Sequence, residues 1–108
     1  MLTKNFIEIS NIEEINSRVL QLQFNVEWTM DDTTAITEYF LQLTSAKILE
    51  VVQGADLHCL RIKHGGYEFL LNFEEYSHAC WLECITDQDI AGLQDIKQLI
   101  ASIFKNRT

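Results

Sequence analysis

The chain has 108 residues, with 16 acidic and 8 basic side chains and a formal net charge of -8. The length predicts one domain over residues 1–108, and a hydrophobic fraction of 47% excludes a disordered or low-complexity protein. The negative charge argues against nucleic-acid binding, which requires clustered lysine and arginine to neutralise phosphates.

Cysteine count and the start of the chain bear on location. Cys59, Cys80 and Cys84 are an odd number, and residues 1–5 do not begin the long apolar stretch of a signal peptide. Charged residues interrupt every apolar run well before the ~20 residues that a membrane-spanning helix needs. We therefore expect a cytoplasmic protein with three free thiols and no membrane partner.

The first part of the chain predicts two strands and a helix. Residues 5–9 alternate weakly and predict a short strand, whereas residues 11–16 predict a turn that allows one helical turn. Residues 20–28 alternate clearly between apolar and polar side chains, which is typical of a half-buried strand. Thr29 and Asp32 form a capping-box-like start for a helix that ends near Ser45. The apolar stripe of this helix contains Ile36, Tyr39, Phe40 and Leu43.

Four more strands are predicted at residues 48–53, 57–64, 67–74 and 79–85, followed by a helix that Thr86 and Asp89 cap. Gly65-Gly66 permits positive φ at both turn positions, which sets His64 opposite Tyr67. The order is β-β-α-β-β-β-β-α. It predicts an α+β two-layer sandwich, in which two helices lie on one face of a mainly antiparallel sheet of about six strands.

This register brings the turn at residues 54–55 and the loop at residues 75–78 to the same end of the sheet. The polar residues expected to cluster there are Asp56, His58, Glu74, Glu75, Tyr76, Ser77 and His78. A histidine near several carboxylates would have a raised pKa and could transfer protons or contribute to a metal site. Turn and loop formation explains the same residue types, and a histidine on an apolar face is typical of a hydrogen-bonded core residue.

The sequence contains none of the common catalytic or metal-binding motifs. It contains no phosphate-binding loop, nucleophile elbow or paired-histidine zinc motif. Cys80 and Cys84 lie ~13 Å apart along one predicted strand, at ~3.3 Å per residue, and cannot both reach one ion without a bend. We therefore assign no catalytic residue and expect no metal and no cofactor.

Charge and aromatic patterning suggest an interaction surface. Between Lys63 and Lys97 there are seven acidic residues and no basic one. A surface of one sign speeds association with a basic partner, although solubility explains it equally. Trp81 is predicted on the sheet face away from the core, and the residues expected to share that face are Ile48, Val52, Leu57, Leu70 and Glu83. Such a strip is typical of an interface, unless the N-terminal strands or the turn near Ile12 cover it.

Three segments carry a resemblance to a known family: GADLH at residues 54–58, LNFEEYS at 71–77 and CWLE at 80–83. They resemble a small family of uncharacterised bacterial proteins of about 100 residues, over approximately residues 46–85. The resemblance implies a cytoplasmic bacterial protein whose signature residues coincide with the predicted sheet-end cluster. It implies no activity.

Two functional hypotheses follow. The first is a non-enzymatic protein-binding or regulatory module, for example an inhibitor or immunity protein, that uses the acidic face. The alternative is a small enzyme or ligand-binding domain with a site at Asp56, His58, Glu74 and Tyr76. A protein partner is expected, with a basic protein and a second copy of the chain both open. The candidate binding residues are Asp56, His58, Glu74, Glu75, Tyr76, Ser77, Trp81 and Glu83.

Overall fold

Two layers make up the computed structural model, which describes residues 3–54 and 56–105. The strands are β1 (Ile9–Asn16), β2 (Val19–Phe24), β3 (Lys47–Gln53), β4 (Leu57–His64), β5 (Tyr67–Glu74) and β6 (Ala79–Cys84), and the helices are α1 (Thr33–Thr44) and α2 (Ile90–Lys105). The strands form one antiparallel sheet in the order β1-β2-β6-β5-β4-β3. The predicted α+β sandwich is confirmed.

The central register is the one that the sequence predicts. His64 pairs with Tyr67, and Leu60, Leu71 and Leu82 form one continuous row across β4, β5 and β6. The turn between β4 and β5 differs in one detail, because Gly65 has a positive φ of 60° and Gly66 does not. A positive φ at the first position alone is the type II′ pattern, which also suits the twist of a hairpin.

The core lies on the sheet face that the helices cover, which we call the inner face. Phe69, Leu71 and Leu82 are fully buried there, opposite helix side chains such as Phe40 and Ile96. Each such side chain contributes about 1.5–3 kcal/mol through removal from water. The opposite sheet face, which we call the outer face, has partly exposed side chains along β6, where Ala79, Trp81 and Glu83 alternate with buried neighbours.

Both helices begin at the predicted residues. Thr29 and Asp32 form a capping box at the 3-10 turn Met30–Asp32, which leads directly into α1. Thr86 and Asp89 do the same at Asp87–Asp89 before α2. In each box the carboxylate accepts a hydrogen bond from the threonine backbone N–H at 2.9 Å. The caps therefore satisfy backbone donors that the first helical turn leaves unpaired.

The N-terminal prediction is partly wrong. Lys4–Phe6 is a 3-10 turn instead of the start of a strand, and the expected turn at residues 11–16 belongs to β1. Register shifts flank this edge strand near both ends, and Glu13 and Glu14 interrupt its apolar pattern, which hides the strand in the sequence. The predicted strand at 20–28 ends at Phe24, and the last predicted strand ends at Cys84.

β1 joins the sheet edge beside β2 and does not fold across the outer face. Ile12 pairs with Leu22 and packs against the core on the inner side. Glu14 also turns toward the helices, where it accepts hydrogen bonds from Lys97 at 2.6 Å and from Gln94 at 3.2 Å. In the part of the chain that the structure describes, no helix is long and apolar enough to cross a membrane.

Candidate functional site

The β4–β5 register brings the turn before β4 and the loop after β5 to the same end of the sheet. Leu57 pairs with Glu74, and the Glu75 backbone N–H donates to the Asp56 carbonyl at 3.1 Å. The predicted proximity of Asp56, Glu74, Glu75 and Ser77 is therefore present in the backbone. Ala55, in the same turn, lies outside the described residues.

Glu74 organises the loop that follows it. Its carboxylate accepts backbone hydrogen bonds from Tyr76 at 3.0 Å and Ser77 at 2.9 Å, and it also accepts the Ser77 hydroxyl hydrogen bond. The hydrogen bond from the Ser77 side chain is the main cause that lowers the pKa of Glu74, followed by the Ser77 backbone hydrogen bond. Glu74 therefore has a defined structural role as an ionised loop cap.

His58 lies on the inner face and does not join the carboxylates. Its side chain is buried against Phe73, with ring centroids 6.0 Å apart. Burial lowers the pKa of His58, which is the direction opposite to that of a histidine among carboxylates. Its Nδ1 atom is buried without a hydrogen-bond partner among the described residues, which differs from a fully hydrogen-bonded core histidine.

Tyr76, Trp81 and Glu83 lie on more exposed surfaces. Tyr76 sits in the loop after β5 and is 92% exposed. Trp81 is half-buried on the outer face, where its Nε1–H donates to the Glu83 carboxylate at 3.2 Å. The predicted residues therefore lie in three places. Glu74 to Ser77 form the end of β5 and the loop after it, His58 is in the core, and Trp81 and Glu83 are on the outer face.

An open cleft of about 760 Å³ adjoins the loop. Its lining includes Gln21, Gln23, Trp28, Thr29, Ser77 and His78, so Ser77 is the one predicted binding residue that contributes to it. Trp28 is buried at the cleft, with its ring centroid 5.6 Å from Phe73 and 5.8 Å from His78. His78 has a positive φ of 51°, a conformation that non-glycine residues adopt infrequently.

Sequence reasoning placed His78 near the loop but missed the other side of the cleft. That side depends on the pairing of β2 with β6, in which Leu22 lies opposite Cys80. Approximately sixty residues separate these strands, so no turn motif specifies their pairing. A cue was available in Trp28, an aromatic residue directly before a helix cap, but alternation alone assigned it to the preceding strand.

The outer face contains a cross-strand row that passes through Trp81. From β2 to β3 the row is Gln21, Trp81, Asn72, Cys59 and Val52. Val52 is 57% exposed at the end of this row. Ile48 was predicted to share the face, but it pairs with Ile62 on the inner face because a register shift after Ile48 changes the alternation.

Cys59 lies on the outer face, and Cys80 and Cys84 are buried on the inner face, with all three unpaired. Burial raises the pKa of each of the three thiols, most strongly that of Cys80. Within residues 3–54 and 56–105, no group of three His, Cys, Asp or Glu side chains could hold a metal ion.

Part of the acidic segment between Lys63 and Lys97 has structural roles. Arg61 donates to Glu68 at 2.6 Å, and Arg18 lies 3.3 Å from Asp87. Asp89 is buried and accepts hydrogen bonds from the backbones of Glu68 and Thr86. These contacts give Glu68, Asp87 and Asp89 structural partners, and Glu83 accepts the hydrogen bond from Trp81 on the outer face.

The fold and the candidate site define a small two-layer α+β protein whose helices pack on one sheet face. The chain belongs to the family described as "protein of unknown function (DUF3630)", whose pattern matches residues 10–105. This match includes the cleft, the loop after β5 and the outer-face row. No curated protein and no solved structure matches the chain.

Proposed function

We propose that this protein is a non-enzymatic protein-binding or regulatory module whose binding surface is the outer face around Trp81. The supporting observation is an aromatic side chain at the middle of a sheet face that neither helix covers in the described part of the chain. Large aromatic residues at the centre of such surfaces are frequent energetic anchors of protein interfaces.

The residues around Trp81 give this surface an apolar centre and an acidic rim. Ile15, Val19 and Ala79 lie beside the indole ring in a shallow pocket. Glu83 is on the same strand, and Glu13 pairs with Gln21, which in turn pairs with Trp81. An apolar centre with a charged rim is the usual anatomy of an interface between two proteins.

The charge next to Trp81 favours a basic partner. Glu83 and Glu13 lie close to the indole ring, whereas the outer-face lysines Lys47 and Lys63 lie toward β3, and the whole chain has a net charge of -8. Opposite charge accelerates association and fixes the orientation of the partner. An inhibitor-like or immunity-like protein that covers a basic active site is one form of this function, and the bacterial cytoplasm is the proposed setting, supported by three unpaired cysteines.

Photo-crosslinking in the source cells tests the proposal. A photoreactive phenylalanine analogue at Gln21 places the probe beside Trp81, and the same analogue at Gln98, on an exposed position of α2, is the matched control. We expect one discrete adduct from position 21 that is missing from position 98. We also expect Trp81→Ala or Glu83→Lys in the position-21 background to remove it. Equal adducts from both positions, or an adduct insensitive to both substitutions, would contradict the proposal.

The cleft at Trp28 supports a second candidate function, the binding of a small polar ligand. Its amide, hydroxyl and imidazole side chains beside an aromatic ring are a combination that many small-molecule sites use. This candidate retains the predicted sheet-end location but replaces most of the predicted residues. Native mass spectrometry of protein isolated from the source cells tests it. A bound small molecule that His78→Ala loses and Gln98→Ala keeps would favour ligand binding, whereas ligand-free wild-type protein would count against it.

A further inference from the structure

Strand β3 forms one edge of the sheet and has an apolar surface. In the part of the chain that the structure describes, it pairs with β4 and has no strand on its other side. All seven of its residues are exposed. Four of them are large and apolar, with exposed fractions between 43% and 57%: Ile48, Leu49, Val51 and Val52.

Exposed apolar edges are unusual because unpaired backbone groups invite another strand to pair with them. The other edge, β1, shows the common protection: it carries Glu13 and Glu14 and has register shifts near both ends. β3 has one register shift, between Ile48 and Glu50. The two edges therefore differ, and β3 is the edge whose exposed apolar residues favour pairing with another strand.

Two copies of β3 can pair antiparallel with like side chains on the same sheet face. Ile48 and Val51 lie on the inner face, opposite Ile62 and Leu60, whereas Lys47 and Val52 lie on the outer face, opposite Lys63 and Cys59. In an antiparallel pair, directly opposite residues point to the same face. A two-fold axis between Leu49 and Glu50 meets this condition, because it pairs Ile48 with the second Val51 and Lys47 with the second Val52.

Charge also favours this arrangement. The same axis puts Lys47 diagonal to the Glu50 of the second copy, at a spacing that long side chains span. β3 itself carries one basic residue, Lys47, and one acidic residue, Glu50, so this edge is formally neutral in a chain with a net charge of -8. Repulsion between two copies is therefore smaller at this edge than it would be between acidic surfaces.

We propose that β3 pairs antiparallel with β3 of a second copy, so that two sheets join into one continuous sheet in a symmetric dimer. A two-fold interface of this kind closes on itself and leaves β1 as the outer edge of the assembly. Trp81 on β6 is three strands from β3, and the cleft lies farther away beside β2, so both stay accessible in the dimer. The proposal is thus independent of the function proposed above.

Sedimentation equilibrium of the full chain tests the dimer. We expect twice the monomer mass of 12.5 kDa for the wild type and the monomer mass for Val51→Lys. Ile15→Lys is the matched control, because Ile15 is similarly exposed on β1, and it should stay dimeric. A monomeric wild type, a dimeric Val51→Lys variant or a concentration-dependent filament would overturn the proposal.

Hydrogen exchange of the wild-type protein gives a second measurement that does not depend on the folding of a variant. Pairing through β3 protects the backbone N–H groups that point away from β4, whereas the outward N–H groups of β1 should exchange rapidly. Equal, rapid exchange at both edges would contradict the dimer. Protection at β3 together with a monomer mass would mean that something other than a second copy covers this edge, and it would also overturn the proposal.

Discussion

Asp89 links α2 to the sheet. Its carboxylate accepts hydrogen bonds from the backbone N–H of Glu68 at 3.1 Å and of Thr86 at 2.9 Å. Removing it would leave buried donors unpaired at a helix start and a strand end. We expect Asp89→Ala to lower the free energy of unfolding by about 1–3 kcal/mol, measured by urea denaturation. Asp95→Ala, at an exposed position of α2, should change it by less than about 0.5 kcal/mol.

The pKa of Asp89 gives this contribution a pH dependence. Burial raises its pKa, but hydrogen bonds from Glu68 and Thr86 outweigh burial, and the pKa is lowered from 3.8. A lowered pKa means that the ionised carboxylate stabilises the folded state above pH 3.8 and loses this effect as the pH falls below it. The stability difference between wild type and Asp89→Asn should therefore shrink from about pH 7 to about pH 3. A constant difference would contradict this role.

Cys59 is the accessible thiol of the folded protein. It is partly exposed on the outer face, while Cys80 and Cys84 are buried. Desolvation, then Glu83 and Glu50, raise the pKa of Cys59, so its labelling by a thiol reagent should be slow near neutral pH and accelerate as pH rises. We expect one labelled thiol in the native protein and three after denaturation without reductant. Cys59→Ser should remove the native signal, and labelling of Cys80 before Cys59 would reverse the assigned faces.

Gly92 permits the contact between α2 and β5. A Cβ atom at this position would lie 2.4 Å from Cγ of Tyr67. Helix propensity alone would make Gly92→Ala stabilising by about 1 kcal/mol. The clash should dominate, with a net loss of about 1–3 kcal/mol in the free energy of unfolding. Gln98→Ala, on the exposed side of the same helix, is the control and should be nearly neutral. A more stable Gly92→Ala protein would show that Tyr67 moves away without cost.

The predictable part of the fold depends on local pattern. The two-residue Gly-Gly turn between β4 and β5 specified their register residue by residue. β1 was missed because an edge strand is solvated on both faces for much of its length, so Glu13 and Glu14 replace the apolar alternation. The β2–β6 pairing was not predictable, since it joins strands far apart in sequence and depends on tertiary packing.

The candidate site was also predictable only in part. Register placed Asp56 near Glu75 correctly, since pairing fixes positions along two strands. Alternation also put His58 on the apolar face, where a hydrogen-bonded core histidine is typical. It did not give the partner of the imidazole: Nδ1 of His58 is buried without a hydrogen-bond partner among the described residues. The alternation of β6 correctly put Trp81 on the face opposite Leu82, because side-chain direction in a regular strand is set by the backbone.

In the described part of the chain, one sheet face forms the core and neither helix covers the other face. Leu82 and Trp81 are adjacent on β6 and point to opposite faces. The first contributes to stability through burial among helix side chains. The second, under the proposed function, contributes to binding. If the two faces have these separate roles, substitutions at Leu82 and at Trp81 have different effects: the first lowers stability and the second lowers affinity.

The decisive experiment measures both the affinity and the stability of Trp81→Ala, with the partner identified by crosslinking at position 21. We predict that the substitution weakens binding by ~2 kcal/mol or more, which is ~30-fold in Kd, and changes the free energy of unfolding by less than ~1 kcal/mol. Isothermal titration calorimetry and urea denaturation give the two values. Unchanged affinity, or a loss of affinity that only accompanies unfolding, would contradict the assignment of the outer face as the binding surface.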